Sequence, residues 1–327
     1  MRVLWSAPLA EQPAAISVSG ALAAVAGTDG ALRVLDSECG RLVAEVNPGL
    51  DMLTDVAVSP SGTAVALTGA RGHGVWESSG ILVKESGAWC TRAVWADNGR
   101  LAVAAGKSVV VYAADGSPAW RTEPGRHTLT DVAWDAKQRS VAASGYGGVR
   151  MFARHSPRPV HEYAHAGPNL CVAVSATGRW VCSGNQDAVV RVWKTNGGDL
   201  QMPGLHTKVT KVRFDPTGRW LANTGHSVLP VWDFGGASGP AGSRPRMLGG
   251  HGSVVDFAWR GCSLGVVASV GSEGEVRVWS VPDQQPGRPA VPLADLGYDD
   301  AVRVAWIDLD TLAVARPDGV DAVRLEP

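Results

Sequence analysis

Val172-Ala173-Val174-Ser175-Ala176-Thr177-Gly178-Arg179-Trp180-Val181-Cys182-Ser183-Gly184-Asn185-Gln186-Asp187-Ala188-Val189-Val190-Arg191-Val192-Trp193 is the stretch that decides the fold. Val172 to Val174 alternates as a strand does, and Ser175 to Gly178 supplies turn residues. Val181 to Gly184 is a strand of small residues, Asn185 to Asp187 a second turn, and Val189 to Trp193 an alternating strand that ends in an indole. Three antiparallel strands in one short phrase make a small sheet. No stretch of the chain carries a helical period of useful length.

The phrase recurs along the whole chain. Its first strand reads Ile16-Ser17-Val18, Val56-Ala57-Val58, Ala93-Val94-Trp95, Val132-Ala133-Trp134, Val172-Ala173-Val174, Val212-Arg213-Phe214, Phe257-Ala258-Trp259 and Val304-Ala305-Trp306, with starts 37 to 47 residues apart. A fixed period of this length marks stacked supersecondary units. The turns that follow carry Gly, Pro and Asp, as in Ser59-Pro60-Ser61-Gly62, Ala96-Asp97-Asn98-Gly99 and Asp215-Pro216-Thr217-Gly218. Second and third strands are expected at Leu22 to Ala26 with Leu32 to Leu35, Leu101 to Ala105 with Val109 to Tyr112, and Leu312 to Ala315 with Val320 to Leu325. A less regular fourth strand is expected at Arg41 to Val46 and Ile81 to Glu85. The last unit reaches Pro327 after three strands, and an orphan strand, Arg2 to Ser6, opens the chain. An N-terminal strand that completes the last sheet would close a ring and remove its free edge. The expectation is an all-β ring over residues 1–327 as a single domain. It has eight four-stranded antiparallel blades; seven is the alternative.

The middle units resemble WD40 repeats, a β-propeller family. His165-Ala166-Gly167-Pro168 stands where that family's Gly-His loop lies, with Ala164 in place of the Gly. Ser183-Gly184-x-x-Asp187 and Val190-Arg191-Val192-Trp193 match its second- and third-strand signatures. The seventh unit offers Gly250-His251, Ser269, Glu273 and Trp279, and Val231-Trp232-Asp233 holds the one literal Trp-Asp dipeptide. The resemblance implies two structural hydrogen-bonded tetrads: His165, Ser183, Asp187 and Trp193, and His251, Ser269, Glu273 and Trp279. Leu35, Trp76, Tyr112, Phe152 and Leu325 replace or approximate the tryptophan elsewhere. Gly198-Asp199-Leu200-Gln201-Met202-Pro203-Gly204 is similar to a bacterial WD40 subgroup associated with metal-handling operons.

The tetrads read as scaffold on physical grounds too. A buried Asp is costly unless hydrogen-bonded, and His and Ser bridging it to an indole N–H would satisfy every group. A Ser-His-acid set also permits a catalytic reading, but no Gly-x-Ser-x-Gly elbow accompanies it. The histidines of His155-Ser156-Pro157-Arg158-Pro159-Val160-His161-Glu162-Tyr163-Ala164-His165 could approach a metal, though the prolines work against convergence. Cys39, Cys90, Cys171, Cys182 and Cys262 are odd in number and lack Cys-x-x-Cys spacing, which argues against a disulfide framework or zinc site. Gly69 to Gly74, Gly145 to Gly148 and Phe234 to Gly242 read as turns rather than phosphate cradles, and residues 233–250, with Arg244 and Arg246, form the longest insertion. Trp180 and Trp220, each preceded by Arg, are expected to pack between sheets.

One column is charged. The residues just before the first-strand phrase are Ala15, Asp55, Arg92, Asp131, Cys171, Lys211, Asp256 and Arg303. Eight-fold repetition places them around the channel. They pair between blades, or they offer a partner-binding rim made of Asp55, Arg92, Asp131, Lys211, Asp256 and Arg303.

Formal net charge is −1, which gives no bulk pull toward nucleic acid or a membrane surface. No apolar run reaches 18 residues, and the first eight residues do not resemble a secretory leader. The expected function is a non-enzymatic, cytoplasmic protein-interaction scaffold with a protein partner and no cofactor or metal. The alternatives are a ligand-binding or enzymatic propeller that uses the central channel, and an accessory protein in metal homeostasis.

Overall fold

The structure, a computed structural model, describes residues 1–262 and 265–326. Pro327, where the eighth unit ends in sequence, lies outside them. Among the described residues every regular element is a strand, and every strand pairing is antiparallel. The expected strands fall in place: Leu22–Gly27 with Leu32–Asp36, Leu101–Ala105 with Ser108–Tyr112, and Thr311–Arg316 with Gly319–Arg324. The irregular fourth strands are Leu42–Val46 and Gly80–Ser86.

Each sheet is made of small residues in its second strand because both of its faces are covered. Ala23 to Ala26, Val65 to Leu67 and Leu101 to Ala104 are almost completely buried. Successive side chains point to opposite faces, so alternate residues join the cores shared with the two flanking sheets. Ala24 and Ala26 join one apolar cluster, while Ala23 and Val25 join another. Among the described residues there are eight such clusters, one at each junction between successive repeats around the ring.

Counted by continuous hydrogen bonding among the described residues there are seven sheets, six of four strands and one of six. The alternative of seven therefore holds for sheets, while the sequence's eight units survive as eight inner strands. The reason lies in repeats 4 and 5. Ser140–Ala153 carries both middle strands of repeat 4, folding back at Gly147 and Gly148, which both have positive φ. Its ends meet where the Arg154 N–H donates to the Arg139 carbonyl. Pro159–Val174 then serves twice. Its first part pairs with Tyr146 to Phe152 as the outer strand of repeat 4. Its last part pairs with Val181 to Asn185 as the inner strand of repeat 5.

The ring closes as the sequence suggests. Arg2–Pro8 pairs with Gly319–Arg324, from Arg2 opposite Arg324 to Pro8 opposite Gly319. The indole of Trp5 donates to the Ser37 carbonyl and its ring covers Gly40, tying this outer strand to repeat 1. The insertion at 233–250 folds down rather than projecting: Phe234 is buried edge-on against Trp180 at 5.6 Å, and Gly239 lies on the Trp180 ring. Trp180 and Trp220 pack between sheets, with Arg219 and Arg246 over the Trp220 ring.

Candidate functional site

The charged column lies in the central channel. A cavity of about 640 Å³ there is lined by Asp55, Arg92, Lys211, Arg213, Asp256 and Arg303. The column pairs between blades, and its carboxylates act as staples. Asp55 accepts from Arg92 Nη1 at 2.9 Å and from the Ala93 N–H of the next inner strand. Asp131 accepts from the Val172 N–H at 3.0 Å and from Arg213 Nη1 at 3.1 Å. Asp256 accepts from the Val304 N–H at 3.1 Å and from Lys211 Nζ at 2.6 Å. Burial raises the pKa of Asp55, against the pull of Arg92. Burial lowers that of Lys211, against Asp256. The three aspartates are buried. As a partner-facing rim the column is thus recessed, and its acids are consumed by the fold.

A second set of staples escaped the sequence reading. The inner-strand indoles donate to the preceding inner strand: Trp95 to the Ala57 carbonyl, Trp134 to Val94, Trp259 to Arg213 and Trp306 to Ala258, at 2.9 to 3.0 Å. The signal was present, because all four tryptophans share one register position. Threonines add a third set, with Thr54, Thr91 and Thr130 donating to Cys90, Leu129 and Asn169 carbonyls of the next repeat.

Repeat 7 contains a buried polar relay. Trp279 Nε1–H donates to Ser269 Oγ at 2.8 Å, which lies 2.8 Å from His251 Nε2. His251 Nδ1 is 3.0 Å from Glu275 Oε1. A carboxylate only accepts, so Nδ1 carries the proton and Nε2 accepts from the serine. Burial lowers the His251 pKa and keeps the ring neutral. The acid is Glu275, not Glu273. Glu273 sits exposed in the turn before Gly274, whereas Glu275 immediately precedes the strand Val276–Ser280 and reaches the histidine. The arrangement resembles a Ser-His-acid triad in its distances. Ser269 is fully buried and its Oγ already receives the indole N–H, so the relay is scaffold.

Comparison with known proteins agrees with this arrangement. The family model described as WD domain, G-beta repeat matches residues 157–194. A curated relative, the target of rapamycin complex subunit LST8 of Mus musculus, is 22% identical over 148 residues, 43% of this chain and 44% of the relative. The chain is a β-propeller that carries a WD40 repeat. The match to LST8 spans less than half of that relative's length. The crystal structure of the computationally designed Ika8 protein superposes with a TM-score of 0.79 at 17% identity, covering 99% of this chain and 100% of that one. That likeness shows the fold alone.

The WD40 repeat that matches best in sequence lacks the relay. His165 Nε2 stands 3.7 Å from Asp187, beyond hydrogen-bond reach. Ser183 Oγ donates to Asn169 and Asn185 side chains at 3.0 and 3.1 Å instead. Trp193 is buried against Tyr163, with ring centroids 5.5 Å apart, and its indole N–H has no partner among the described residues. The expected tetrad of His165, Ser183, Asp187 and Trp193 is therefore not made, because two buried asparagines capture the serine.

The other candidates separate. His155 accepts from Arg154 and His161 stacks on Tyr163, well apart in role from His165. Among the described residues no group of three His, Cys, Asp or Glu side chains could hold a metal ion. All five cysteines are free. Burial pushes Cys90 and Cys171 up to about 12, which makes them inert thiols.

The second mouth of the WD40 channel, ringed by the turns after the inner strands, has a different lining. A hollow of about 330 Å³ there is formed by Trp95, Trp134, Phe214, Asp97, Ala136 and Pro216. The three aromatics are half-buried, as are Trp259 and Trp306 at the same register position farther round.

Proposed function

We propose that this propeller is a non-enzymatic protein-interaction scaffold, and that the mouth ringed by the inner-strand turns is its docking face. The observation that carries the reading is the set of half-buried aromatics there. Trp95, Trp134, Trp259 and Trp306 are each tethered through Nε1 to a neighbouring inner strand. Rigid aromatic anchors around a shallow hollow favour binding because little side-chain entropy is lost on contact. The relative LST8 is by name a subunit of a complex, which supports the same class of role. Against catalysis stands the burial of the Ser269–His251–Glu275 relay and of the Cys90 and Cys171 thiols.

The test is affinity capture from the protein's own cells with the wild type and with Ala136→Arg. Ala136 is exposed beside the hollow, so the substitution obstructs the face and leaves the core intact. A partner retained by the wild type and lost by the variant is expected. No specific partner, or one indifferent to Ala136→Arg, would overturn the proposal.

A further inference from the structure

The central channel pairs its buried charges unevenly, with Asp97 lying exposed toward one end. Arg92, Lys211, Arg213 and Arg303 stand against Asp55, Asp131 and Asp256. Each carboxylate already holds a cation and a backbone N–H. Arg303 is the residue left over. Its Nε donates to the Ala14 carbonyl at 2.9 Å and its Nη1 to the Val302 carbonyl at 2.7 Å. Among the described residues no carboxylate reaches it.

The cause lies in the order of the column. Arg303 follows Asp256 around the ring as Arg92 follows Asp55. Arg92 bonds the acid behind it, but Lys211 has already taken Asp256 at 2.6 Å. Arg303 therefore turns the other way, toward repeat 1, where the column residue is Ala15 and offers no acid. The result is one cation with no carboxylate partner among the described residues, in a cavity of about 640 Å³, a size that suits small ligands. A cation without a counter-charge is costly, and Arg303 Nη2, which makes no hydrogen bond among the described residues, can donate to an oxyanion.

We propose that the central channel binds a small multivalent oxyanion, bearing phosphate or carboxylate groups, with Arg303 as its principal contact and Lys211, Arg92 and Arg213 around it. This site adjoins the docking hollow, with which it shares Arg92, Trp95 and Arg213, but Arg303 itself lines only the channel. Burial together with Arg213 and Arg92 lowers the Lys211 pKa against Asp256, so these groups sense one another across the same space.

The experiment is isothermal titration of the full chain with tripolyphosphate and, separately, with citrate, at ionic strength fixed with sodium chloride. Saturable one-to-one binding is expected, with Arg303→Gln weakening it by about tenfold or more, the loss of one charge-assisted hydrogen bond. Arg244→Gln, in the exposed insertion, is expected to leave it unchanged. Tighter binding of tripolyphosphate assigns phosphate chemistry to the site, and tighter binding of citrate assigns carboxylate chemistry. If Arg303→Gln fails to fold, Arg303→Lys, which keeps the charge and loses the fork, is expected to weaken binding severalfold. Heats that do not saturate at millimolar concentrations, or an affinity untouched at Arg303, would overturn the proposal.

Discussion

Ser269 takes one hydrogen bond from an indole and meets an imidazole on its other side, fully buried. Trp279→Phe would leave this serine short of a donor. It is expected to cost about 1–2 kcal/mol more than Trp193→Phe, whose indole makes no hydrogen bond, as read from denaturant midpoints. His251 carries the pH signature of the relay. Its folded pKa lies below the unfolded value of about 6.5, so above that pH the site costs nothing. As the pH falls below it, the unfolded chain takes a proton that the fold refuses, and this site's contribution declines until the folded pKa is reached. Nitrogen-15 NMR of labelled histidine should show His251 as the neutral Nδ1–H form at pH 7.5, above both the folded and unfolded values. The Nε2–H tautomer there would contradict the relay. Much of this was legible: His251, Ser269 and Trp279 were readable from motif spacing. The acid was not, because Glu273 and Glu275 flank the same glycine and only the course of the hairpin at Gly274 separates them. Nor could spacing show that Asn169 and Asn185 would claim Ser183.

At the scale of elements, the hairpins depend on a few positive-φ positions. Gly178 has φ +69° with open space around its missing side chain, whereas at Gly274, with φ +83°, an added Cβ would run into the backbone of Asp299 and Asp300. Gly178→Ala should therefore cost only the left-handed backbone penalty, about 1–2 kcal/mol. Gly274→Ala adds a backbone collision and should cost about 1–3 kcal/mol beyond that. Equal losses in thermal unfolding would contradict the packing of repeats 7 and 8. Inner and second strands were legible because alternation and small residues answer directly to two covered faces. The merging of repeats 4 and 5 into one sheet was not, because it turns on how Gly147 and Gly148 let Ser140–Ala153 reverse without an intervening loop. The inner-strand tryptophans stood in the aligned phrase all along. Their role as ties between repeats became visible only with the carbonyls of Ala57, Val94, Arg213 and Ala258 in place.

At the scale of the molecule, closure and function are joined. Arg2–Pro8 covers the edge of Gly319–Arg324, and without it that edge would be open to other chains. Deletion of residues 1–8 should lower the melting temperature and promote aggregation, measured by light scattering during a thermal ramp. An unchanged melting curve would mean that the closure carries no stability. A ring tied at its inner strands by indoles, aspartates and threonines is suited to holding a surface still rather than to moving. The direct test of the scaffold reading is the native mass of the protein taken gently from its own cells. The account predicts a particle heavier than the 34.1 kDa chain by the mass of a different protein. A mass equal to the chain alone, or to a whole multiple of it, would contradict it.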